Sequence, residues 1–396
     1  MQLNRKLLNL IAISTVSFLV ASCATSSVNQ TNNGQSKYLG PVGDAESTLN
    51  VLAWPGYAED GTLDPAIDWV TQFEKSTGCD VNVKTFDTSD ESVQLMLDGG
   101  YDVVSASGDA AWRLINSEAI QPINTVLVPN YVDIFDDLKL RPWNSSQGIT
   151  YGIAHGRGAN LLSYSLADVV PAPDSWAITF EPDSVLAGKI AVYDSPMYIA
   201  DAALYLMATK PELEITNPYA LDQNQFNAIF ELLKQQKPLT SQYWSDSITN
   251  VSGMKSGLVK AGVSWQVNID YANVNGLVVA GVKPKEGATG WSNSWMISKD
   301  TRSINCSYKW LDWIISPQTN ASATEWFGEA PANRKSCELT ANKNHCTVFH
   351  ATNTDGFWKN IYYWNTPVEN CLDGRTEVTC VPYAEWAKAW SNFRNS

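Results

Sequence analysis

The sequence predicts an α/β fold divided into two lobes. Short apolar or alternating segments, typical of strands, are followed repeatedly by segments with apolar residues at helical spacing. Hydrophobic residues make up 44% of the chain and charged residues 17%, which permits a large core. A chain of 396 residues exceeds what one compact core normally serves, so two lobes are expected. The alternation of strands and helices favours a largely parallel sheet.

Ordered structure is predicted to begin with a strand at 49–54. A helix is predicted over 64–76, because apolar residues recur there at intervals of three. Asp64 is a suitable N-cap, Pro65 suits the first helical position, and Gly78 ends the pattern.

The remaining elements follow from the same periodicities. Further strands are predicted at 79–86, 101–105, 159–164, 189–193, 259–265 and 277–282. Further helices are predicted at 90–98, 109–117, 198–209, 222–234 and 305–315. From Pro317 onward the chain is predicted to be helices and loops.

The N-terminus has the features of an export signal. Arg5 and Lys6 precede a short apolar run at 7–19, which ends in Val20-Ala21-Ser22-Cys23. These last four residues resemble the lipobox of bacterial lipoproteins, so we predict a signal peptide at 1–22 and a lipidated Cys23. An ordinary signal peptide that happens to end near a cysteine is the alternative. Residues 23–47 are small and polar and predict a flexible tether. The expected location is the periplasmic or extracellular face of the bacterial cytoplasmic membrane.

The charge balance argues against nucleic acid and anionic lipid headgroups as partners. The formal net charge is −14, and removal of the two basic signal residues makes it −16. This balance is compatible with a cationic ligand. The chain also contains 16 Trp, and a cluster of them facing a cleft would provide a surface on which a ligand stacks.

Six cysteines remain after Cys23, an even number that suggests disulfides in an oxidising compartment. Six cysteines allow 15 connectivities. Two pairs are local, Cys337 with Cys346 and Cys371 with Cys380, which leaves Cys79 and Cys306 for a long-range bridge. A zinc site is the rival interpretation, but there are no CxxC pairs and only three His.

Enzyme signatures are missing from the sequence. No GxSxG, HExxH, Walker or GxGxxG motif follows a predicted strand, and no pair of carboxylates is marked by its spacing. We therefore predict no catalytic residues and no cofactor. A secreted hydrolase and a structural cell-wall protein remain as the rival classes.

Aromatic and polar residues recur where predicted strands end. The segments are Trp54-Pro-Gly-Tyr57, Asp87-Thr-Ser-Asp90, Ser107-Gly-Asp109, Asp194-Ser-Pro196, Trp265-Gln-Val-Asn268 and Gly290-Trp-Ser-Asn293. Ligands of open α/β sheets bind beyond the carboxyl ends of strands, where such loops converge. The recurrence predicts a ligand cleft, although any one of these residues is more often a cap or a core side chain.

With these segments in this order, the chain resembles the substrate-binding proteins of bacterial ABC importers, in the spermidine/putrescine-binding branch. Further landmarks are Phe73-Glu-Lys-Ser-Thr-Gly78, Tyr101-Asp-Val-Val-Ser-Ala-Ser107, Tyr151-Gly-Ile153, Lys283-Pro-Lys-Glu-Gly287 and Lys309-Trp-Leu-Asp-Trp-Ile314. The resemblance implies a type II periplasmic-binding-protein fold, with a ligand cleft between two lobes. It also implies a monomer that captures a small amine, such as putrescine or spermidine, and delivers it to an ABC permease.

The resemblance further implies an aromatic box for methylene chains, with carboxylates at its ends for ammonium groups. By matched position, the box aromatics are Trp54, Tyr57, Trp265 and Trp291. Thr88 matches a serine of a first-lobe loop, and Asp194 lies at or beside a carboxylate position of the second lobe. Together with Asp109, these residues are expected to line the cleft.

Two positions depart from the family pattern. Asn293 stands where the family has a carboxylate, and it lacks the charge that holds an ammonium group. Arg157 replaces an aromatic near the lobe crossing, and its guanidinium suits a carboxylate or phosphate. If Arg157 lines the cleft, a zwitterionic, aminobutyrate-like amine would fit better than a polyamine. A structural ion pair is the alternative role for this arginine.

The expected lobes follow from these positions. Lobe 1 is predicted to contain 48–154 plus 290–330, and lobe 2 to contain 155–289 plus 331–396, the latter including a disulfide-stapled C-terminal segment.

Overall fold

The computed structural model of the protein describes residues 38–181 and 186–396. The predicted signal peptide, Cys23 and the first part of the predicted tether lie outside the described residues. Within the described residues, every helix is too short or too polar to span a bilayer.

Strands and helices alternate along most of the chain. The strands are β1 Thr48–Ala53, β2 Asp80–Thr85, β3 Val103–Ala106, β4 Ile120–Gln121, β5 Ser145–Ser146, β6 Ile149–Thr150, β7 Gly152–Ala154, β8 Gly156–Ala159, β9 Leu161–Ser165, β10 Ile190–Tyr193, β11 Thr240–Trp244, β12 Ala261–Ser264, β13 Val279–Val282, β14 Ala288–Trp291, β15 Ser294–Ser298, β16 Ala330–Pro331 and β17 Ile361–Tyr363. The helices are α1 Val70–Thr77, α2 Ser89–Asp98, α3 Gly108–Asn116, α4 Ala177–Phe180, α5 Tyr198–Thr209, α6 Gln223–Gln236, α7 Ser247–Ser256, α8 Gln266–Val274, α9 Ile304–Ile314, α10 Pro317–Phe327, α11 His345–Val348 and α12 Tyr383–Asn395.

Two larger sheets organise these elements, as expected for a two-lobed α/β fold. The first has the order β2-β1-β3-β15-β4, with β7 also paired to β15, and the second has the order β11-β10-β12-β9-β13. In each sheet three neighbouring strands are parallel, and every further pairing between neighbouring strands is antiparallel. The sheets are therefore more mixed than the largely parallel sheet that the alternation predicts.

A smaller sheet, with the order β16-β8-β14-β17, connects the parts of the chain that contain the two larger sheets. Strand β8 follows β7 of the first sheet after one residue, and β14 precedes β15 of the first sheet by two residues. Short strands of this kind cannot be recognised from periodicity, which explains why the sequence analysis predicted neither β14 nor β15.

The first helix begins later than predicted. Residues 64–69 are not helical, and α1 starts at Val70, so Asp64 is not its N-cap. The Asp64 carboxylate instead accepts the backbone N–H of Ala66, which closes a local turn. The predicted end is correct, because Gly78 adopts a left-handed conformation with φ 75° after the last turn.

The last part of the predicted tether is held against the fold. Tyr38 stacks on Tyr308 with ring centroids 5.5 Å apart, and its hydroxyl donates to Asn305 at 2.6 Å. The Glu46 carboxylate accepts the backbone N–H groups of Asn305 and Cys306 at the start of α9. An anion in this position satisfies helix N–H groups that otherwise have no partner. The prediction of a flexible tether is therefore wrong for residues 38–47.

Three disulfides link the cysteine pairs that the sequence analysis favours. Cys79 is joined to Cys306, Cys337 to Cys346, and Cys371 to Cys380. The long-range bridge connects the start of β2 with α9, and both of its cysteines are fully buried.

Candidate ligand-binding site

The carboxyl ends of the central strands place aromatic rings close together. Tyr193 ends β10 and Trp265 directly follows β12, and these two strands are parallel neighbours. Parallel strands bring their carboxyl ends to the same edge of the sheet, so the two rings meet there. Their centroids lie 5.6 Å apart.

Further rings extend this pair into a continuous series of ring contacts, which we call the aromatic row. Its members are Trp364, Tyr193, Trp265, Trp291, Phe327 and Tyr57. Successive ring centroids along the row lie 5.6, 5.6, 6.0, 5.9 and 4.6 Å apart. These spacings are those of stacked or edge-to-face aromatic pairs. The row provides an apolar, polarisable surface that suits methylene groups and cations.

Two buried carboxyl groups lie near the Tyr193 end of the row. Asp109 is in the first turn of α3, and Asp201 is in the first turn of α5. They are 2% and 3% exposed, and Asp109 Oδ1 has no hydrogen-bond partner among the described residues. Burial, followed by the charges of Asp109, Asp194 and Asp201, raises the pKa of Tyr193.

A chain of hydrogen bonds connects Asp201 to the row. Thr289 Oγ1 donates to Asp201 Oδ1 at 2.7 Å, and Asn160 Nδ2 donates to Thr289 Oγ1 at 2.7 Å. Trp265 Nε1 in turn donates to Asn160 Oδ1 at 2.9 Å. These bonds hold the Trp265 ring in place. Burial raises the pKa of Asp201 to about 7, although the bond from Thr289 opposes the change.

A third carboxyl group, Glu329, lies at the other end of the row. Glu329 Oε2 accepts the Tyr57 hydroxyl at 3.1 Å, and that hydroxyl accepts Asn293 Nδ2 at 2.7 Å. Glu329 and Tyr57 are fully buried, and Asn293 is 5% exposed. Burial raises the pKa of Glu329 well above its usual value, an effect that the Tyr57 bond only partly offsets.

No lysine or arginine forms a salt bridge with these three carboxyl groups within the described part of the chain. The charge of Arg113 lowers the pKa of Asp109, but burial raises it more. The nitrogen near Glu329 is His155 Nε2, at 3.5 Å. Burial lowers the pKa of His155 to about 3, so this ring is neutral near pH 7. Burial therefore favours the protonated form of each carboxyl group, and a cation at contact distance would favour the ionised form.

Two of the predicted first-lobe residues lie beside the row rather than in it. The half-buried Trp54 packs on Phe86, with centroids 4.5 Å apart, and its Nε1 has no partner among the described residues. Thr88 is exposed and serves as the N-cap of α2, because its hydroxyl accepts the backbone N–H of Glu91. Local cap geometry therefore accounts for Thr88.

The Asp194 carboxylate anchors helix α12. Arg394 Nε and Nη2 donate to its two oxygens at 3.0 and 3.1 Å, and Trp390 Nε1 donates at 3.0 Å. Both oxygens therefore already have a cationic partner. The nearby Asp201 is buried and has no lysine or arginine partner among the described residues.

Arg157 forms a structural ion pair. Its Nη1 donates to Asp137 Oδ2 at 2.6 Å, and its Nη2 donates to the Ala351 carbonyl at 3.0 Å. The guanidinium also lies 4.3 Å from the centroid of the Trp358 ring. The side chain is fully buried among these partners, so its charge is already neutralised.

An open groove of about 840 Å³ lies at the surface beside α3, the helix that carries Asp109. It runs between helices α2 and α3 and the segment that precedes α12. Thr366 lines the groove, and its hydroxyl donates to the Asp109 carbonyl at 2.8 Å. At the same surface Tyr383 donates to Asp90, which also pairs with Arg113.

Comparison with known proteins places this arrangement in a family. A model of bacterial extracellular solute-binding proteins matches residues 68–345. This chain belongs to that family.

Individual relatives agree with the assignment. The chain is 25% identical over 295 residues to a putrescine-binding periplasmic protein of Pseudomonas aeruginosa, which covers 70% of this chain and 76% of the relative. It is 23% identical over 325 residues to the spermidine/putrescine-binding periplasmic protein of Escherichia coli, which covers 80% and 88%. A solved structure described as a putative spermidine/putrescine ABC transporter from Listeria monocytogenes has a TM-score of 0.70 at 17% identity, covering 88% of this chain and 99% of the other. The likeness in structure confirms the two-lobed periplasmic-binding-protein fold.

Sequence reasoning missed several residues of this solute-binding protein that the fold brings to the row. They are Tyr193, Asp201, Phe327, Glu329 and Trp364. Tyr193 ends a predicted strand, so its position was a usable signal. Phe327, Glu329 and Trp364 lie in segments predicted only as helices and loops, where no local pattern indicates which side chains turn inward.

Proposed function

We propose that this solute-binding protein is the receptor of an ABC importer for a small linear polyamine, such as putrescine or spermidine. The observation that carries the proposal is the aromatic row, which has buried carboxyl groups near both ends that pair with no lysine or arginine of residues 38–181 and 186–396. A polyamine offers methylene groups for the rings and ammonium groups for the carboxyl groups. The names of the relatives from Pseudomonas aeruginosa and Escherichia coli support the same ligand class.

The pairing of Arg157 favours a polyamine over the zwitterionic alternative. A ligand carboxylate would need a free guanidinium near the row, but that of Arg157 is bound by Asp137. An aminobutyrate-like ligand would also bring negative charge close to Asp109, Asp201 or Glu329.

The protein would act without catalysis, as a monomer that hands its ligand to a membrane permease. Lobes with the boundaries 48–154 plus 290–330 and 155–289 plus 331–396 would close around the ligand, because contacts from both sides bias the equilibrium toward the closed state. Lipidation of Cys23 would keep the receptor at the outer face of the cytoplasmic membrane. Replacement of Cys23 by Ala should then release the protein into the soluble fraction.

The proposed ligand class can be tested by titration calorimetry of the mature protein with putrescine, spermidine, 4-aminobutyrate and betaine. Putrescine or spermidine should bind, and 4-aminobutyrate should bind at least ten times more weakly. Trp265→Ala should weaken amine binding about tenfold, since one cation–π contact contributes roughly 0.5–2 kcal/mol. Trp326→Ala is the matched control, because that ring is 42% exposed and outside the row.

Three outcomes would contradict the proposal. Binding of carboxylate-bearing amines alone, abolished by Arg157→Ala, would establish the zwitterionic alternative. Unchanged affinity in both Trp265→Ala and Trp291→Ala would place the ligand elsewhere. Turnover of a bound small molecule would indicate that the protein is a hydrolase instead.

A further inference from the structure

Three chain segments that connect the first sheet region to the small sheet meet at one buried point. His155 separates β7 from β8, and Asn293 immediately precedes β15. Glu329 lies between α10 and β16. The side chains of these three residues surround the Tyr57 hydroxyl and ring, and all four residues are at most 5% exposed.

The hydrogen bonds at this point are directed toward Glu329. Asn293 donates to the Tyr57 hydroxyl, which therefore has its own proton free to donate to Glu329 Oε2. An ionised aspartate at position 293 has no proton to donate and could not act in this way. The arrangement suits a negative charge on Glu329 rather than at position 293.

The second oxygen of Glu329 has no hydrogen-bond partner among the described residues. Trp295 Nε1 donates to His155 Nδ1 at 3.1 Å, so the proton of this neutral imidazole is on Nε2. That nitrogen is 3.5 Å from Glu329 Oε1 and forms no hydrogen bond to the described residues. A buried carboxyl with one free oxygen at the end of an aromatic row can receive a ligand cation.

The other titratable groups around Glu329 provide no positive charge. Tyr57 is a neutral phenol whose pKa is raised by burial. His345 Nε2 lies 2.8 Å from the Glu329 carbonyl, not from its carboxyl group, and burial lowers the pKa of that histidine. Arg157 lies on the strand paired with β16, but its guanidinium is bound by Asp137.

We propose that Glu329 binds one ammonium group of the ligand in place of the carboxylate missing at position 293, and that it releases a proton as it does so. The proposal rests on the proposed function and names the residue that selects a cationic ligand end. Before binding, Glu329 is a neutral carboxylic acid. On binding, its O–H proton passes to solvent, and the resulting carboxylate pairs with the ammonium group without any covalent bond to the ligand.

The raised pKa of Glu329 is consistent with this exchange. Burial without a cation raises the pKa of Glu329 and so favours its protonated form, whereas an ammonium group at contact distance favours ionisation. Proton release is therefore a signature that a purely structural glutamate would not produce.

The test is titration calorimetry with putrescine near pH 7, repeated in buffers of different ionisation enthalpy, which gives the number of protons released. Glu329→Gln should release about one proton fewer than the wild type and bind putrescine at least ten times more weakly. Glu338→Gln changes an exposed glutamate outside the aromatic row, so it is the matched control and should behave as the wild type. Asp201→Asn measures the protons that Asp201 contributes.

A swapped pair tests the position of the charge. Asn293→Asp combined with Glu329→Gln returns the carboxylate to position 293. The amide that the second substitution introduces can donate to the Tyr57 hydroxyl, whose proton is then free for the new carboxylate. This double variant should recover most of the affinity that Glu329→Gln loses. Tyr57→Phe keeps the ring and removes the hydrogen bond that lowers the pKa of Glu329. The pH at which the affinity for putrescine reaches half of its maximum should therefore be higher than in the wild type.

The outcomes separate this inference from the proposed function. If the wild type binds no amine, the proposed function fails. If the wild type binds putrescine and Glu329→Gln keeps both the affinity and the proton count, Glu329 is structural and this inference alone is wrong. If Glu329→Gln does not fold, unchanged pH dependence of affinity in Tyr57→Phe would overturn the inference.

Discussion

Three titratable residues near the aromatic row are buried in a way that makes the stability of this receptor depend on pH. Asp201, Glu329 and His155 are almost completely buried, and none has a charged partner of opposite sign among the described residues. Burial without such a partner favours the neutral form of each group, so the acids gain proton affinity on folding and the base loses it. The fold therefore holds these groups in a protonation state that a nearby charge would change.

His155 makes stability fall as the solution is acidified. Its pKa is lowered from 6.5 to about 3, so between these values the unfolded chain binds a proton that the folded chain does not. Stability must then decrease as pH falls through this window. From pH 6.5 to 5.5 the contribution of His155 should be about 1 kcal/mol.

His155→Gln should remove this contribution, and chemical unfolding of both proteins at the two pH values measures it. The expected result is a smaller pH dependence in the variant, by about 1 kcal/mol. An unchanged pH dependence would mean that His155 protonates freely in the folded protein.

The contribution of Asp201 to stability changes with pH in the opposite direction. Its pKa is raised from 3.8 to about 7, so between these values the folded chain keeps a proton that the unfolded chain has lost. Stability from this group is therefore lost as pH rises, at up to about 1.4 kcal/mol per pH unit. Asp201→Asn should become more stable relative to the wild type as pH rises from about 4.5 to about 6.5. A pH-independent difference in the free energies of unfolding would contradict this assignment.

At the scale of single elements, helix α12 shows how a predicted site residue can serve the fold. The helix packs Trp386, Trp390 and Phe393 into the core beside the second sheet. Arg394 and Trp390 attach its C-terminal end to Asp194, the residue after β10. The carboxylate that resembled a ligand group therefore joins the last helix to the centre of the sheet.

Asp194→Asn should destabilise the protein without weakening ligand binding. Loss of the partly exposed ion pair and of one hydrogen bond should cost about 1–2 kcal/mol, measured by chemical unfolding. Putrescine affinity should stay within about twofold of the wild type, since the Asp194 oxygens face α12. A large loss of putrescine affinity with unchanged stability would show that Asp194 contributes to ligand binding.

At the scale of the whole molecule, the disulfides differ in how much of the chain they constrain. Cys79 and Cys306 are separated by 227 residues, and each of the other pairs by 9. In the chain-entropy model, stabilisation increases with the length of the closed loop. The long-range bridge thus connects two distant parts of the chain that build the same sheet region.

Paired Cys→Ser replacement should reveal this difference. Removal of Cys79–Cys306 should cost about 5 kcal/mol in the chain-entropy model, and removal of Cys371–Cys380 about 2–3 kcal/mol. Chemical unfolding of the two double variants provides the comparison. Equal losses would show that native packing around the bridges, rather than loop length, dominates their effect.

Much of the architecture can be predicted from the sequence, because its signals are local. Alternation in strands, the stop at Gly78 and short cysteine separations depend on neighbouring residues, and these predicted the α/β class, the end of α1 and the two local disulfides. Tyr57, Trp265 and Trp291 reach the aromatic row from strand ends that the sequence analysis singled out. The resemblance to solute-binding proteins rested on the order of such segments.

Long-range packing determines which charges find a partner. Asp194 and Asp201 are both acidic residues near the end of β10, yet only Asp194 meets an arginine, which comes from the far end of the chain. Arg157 is neutralised by Asp137, and Glu329 is brought to Tyr57 from 272 residues away. Pairing across such separations depends on how the sheets and helices pack, and local periodicity contains no information about it. Local signals in the sequence were therefore enough to identify the class of receptor, whereas the packing of distant segments selects the carboxyl groups that remain free for a cation.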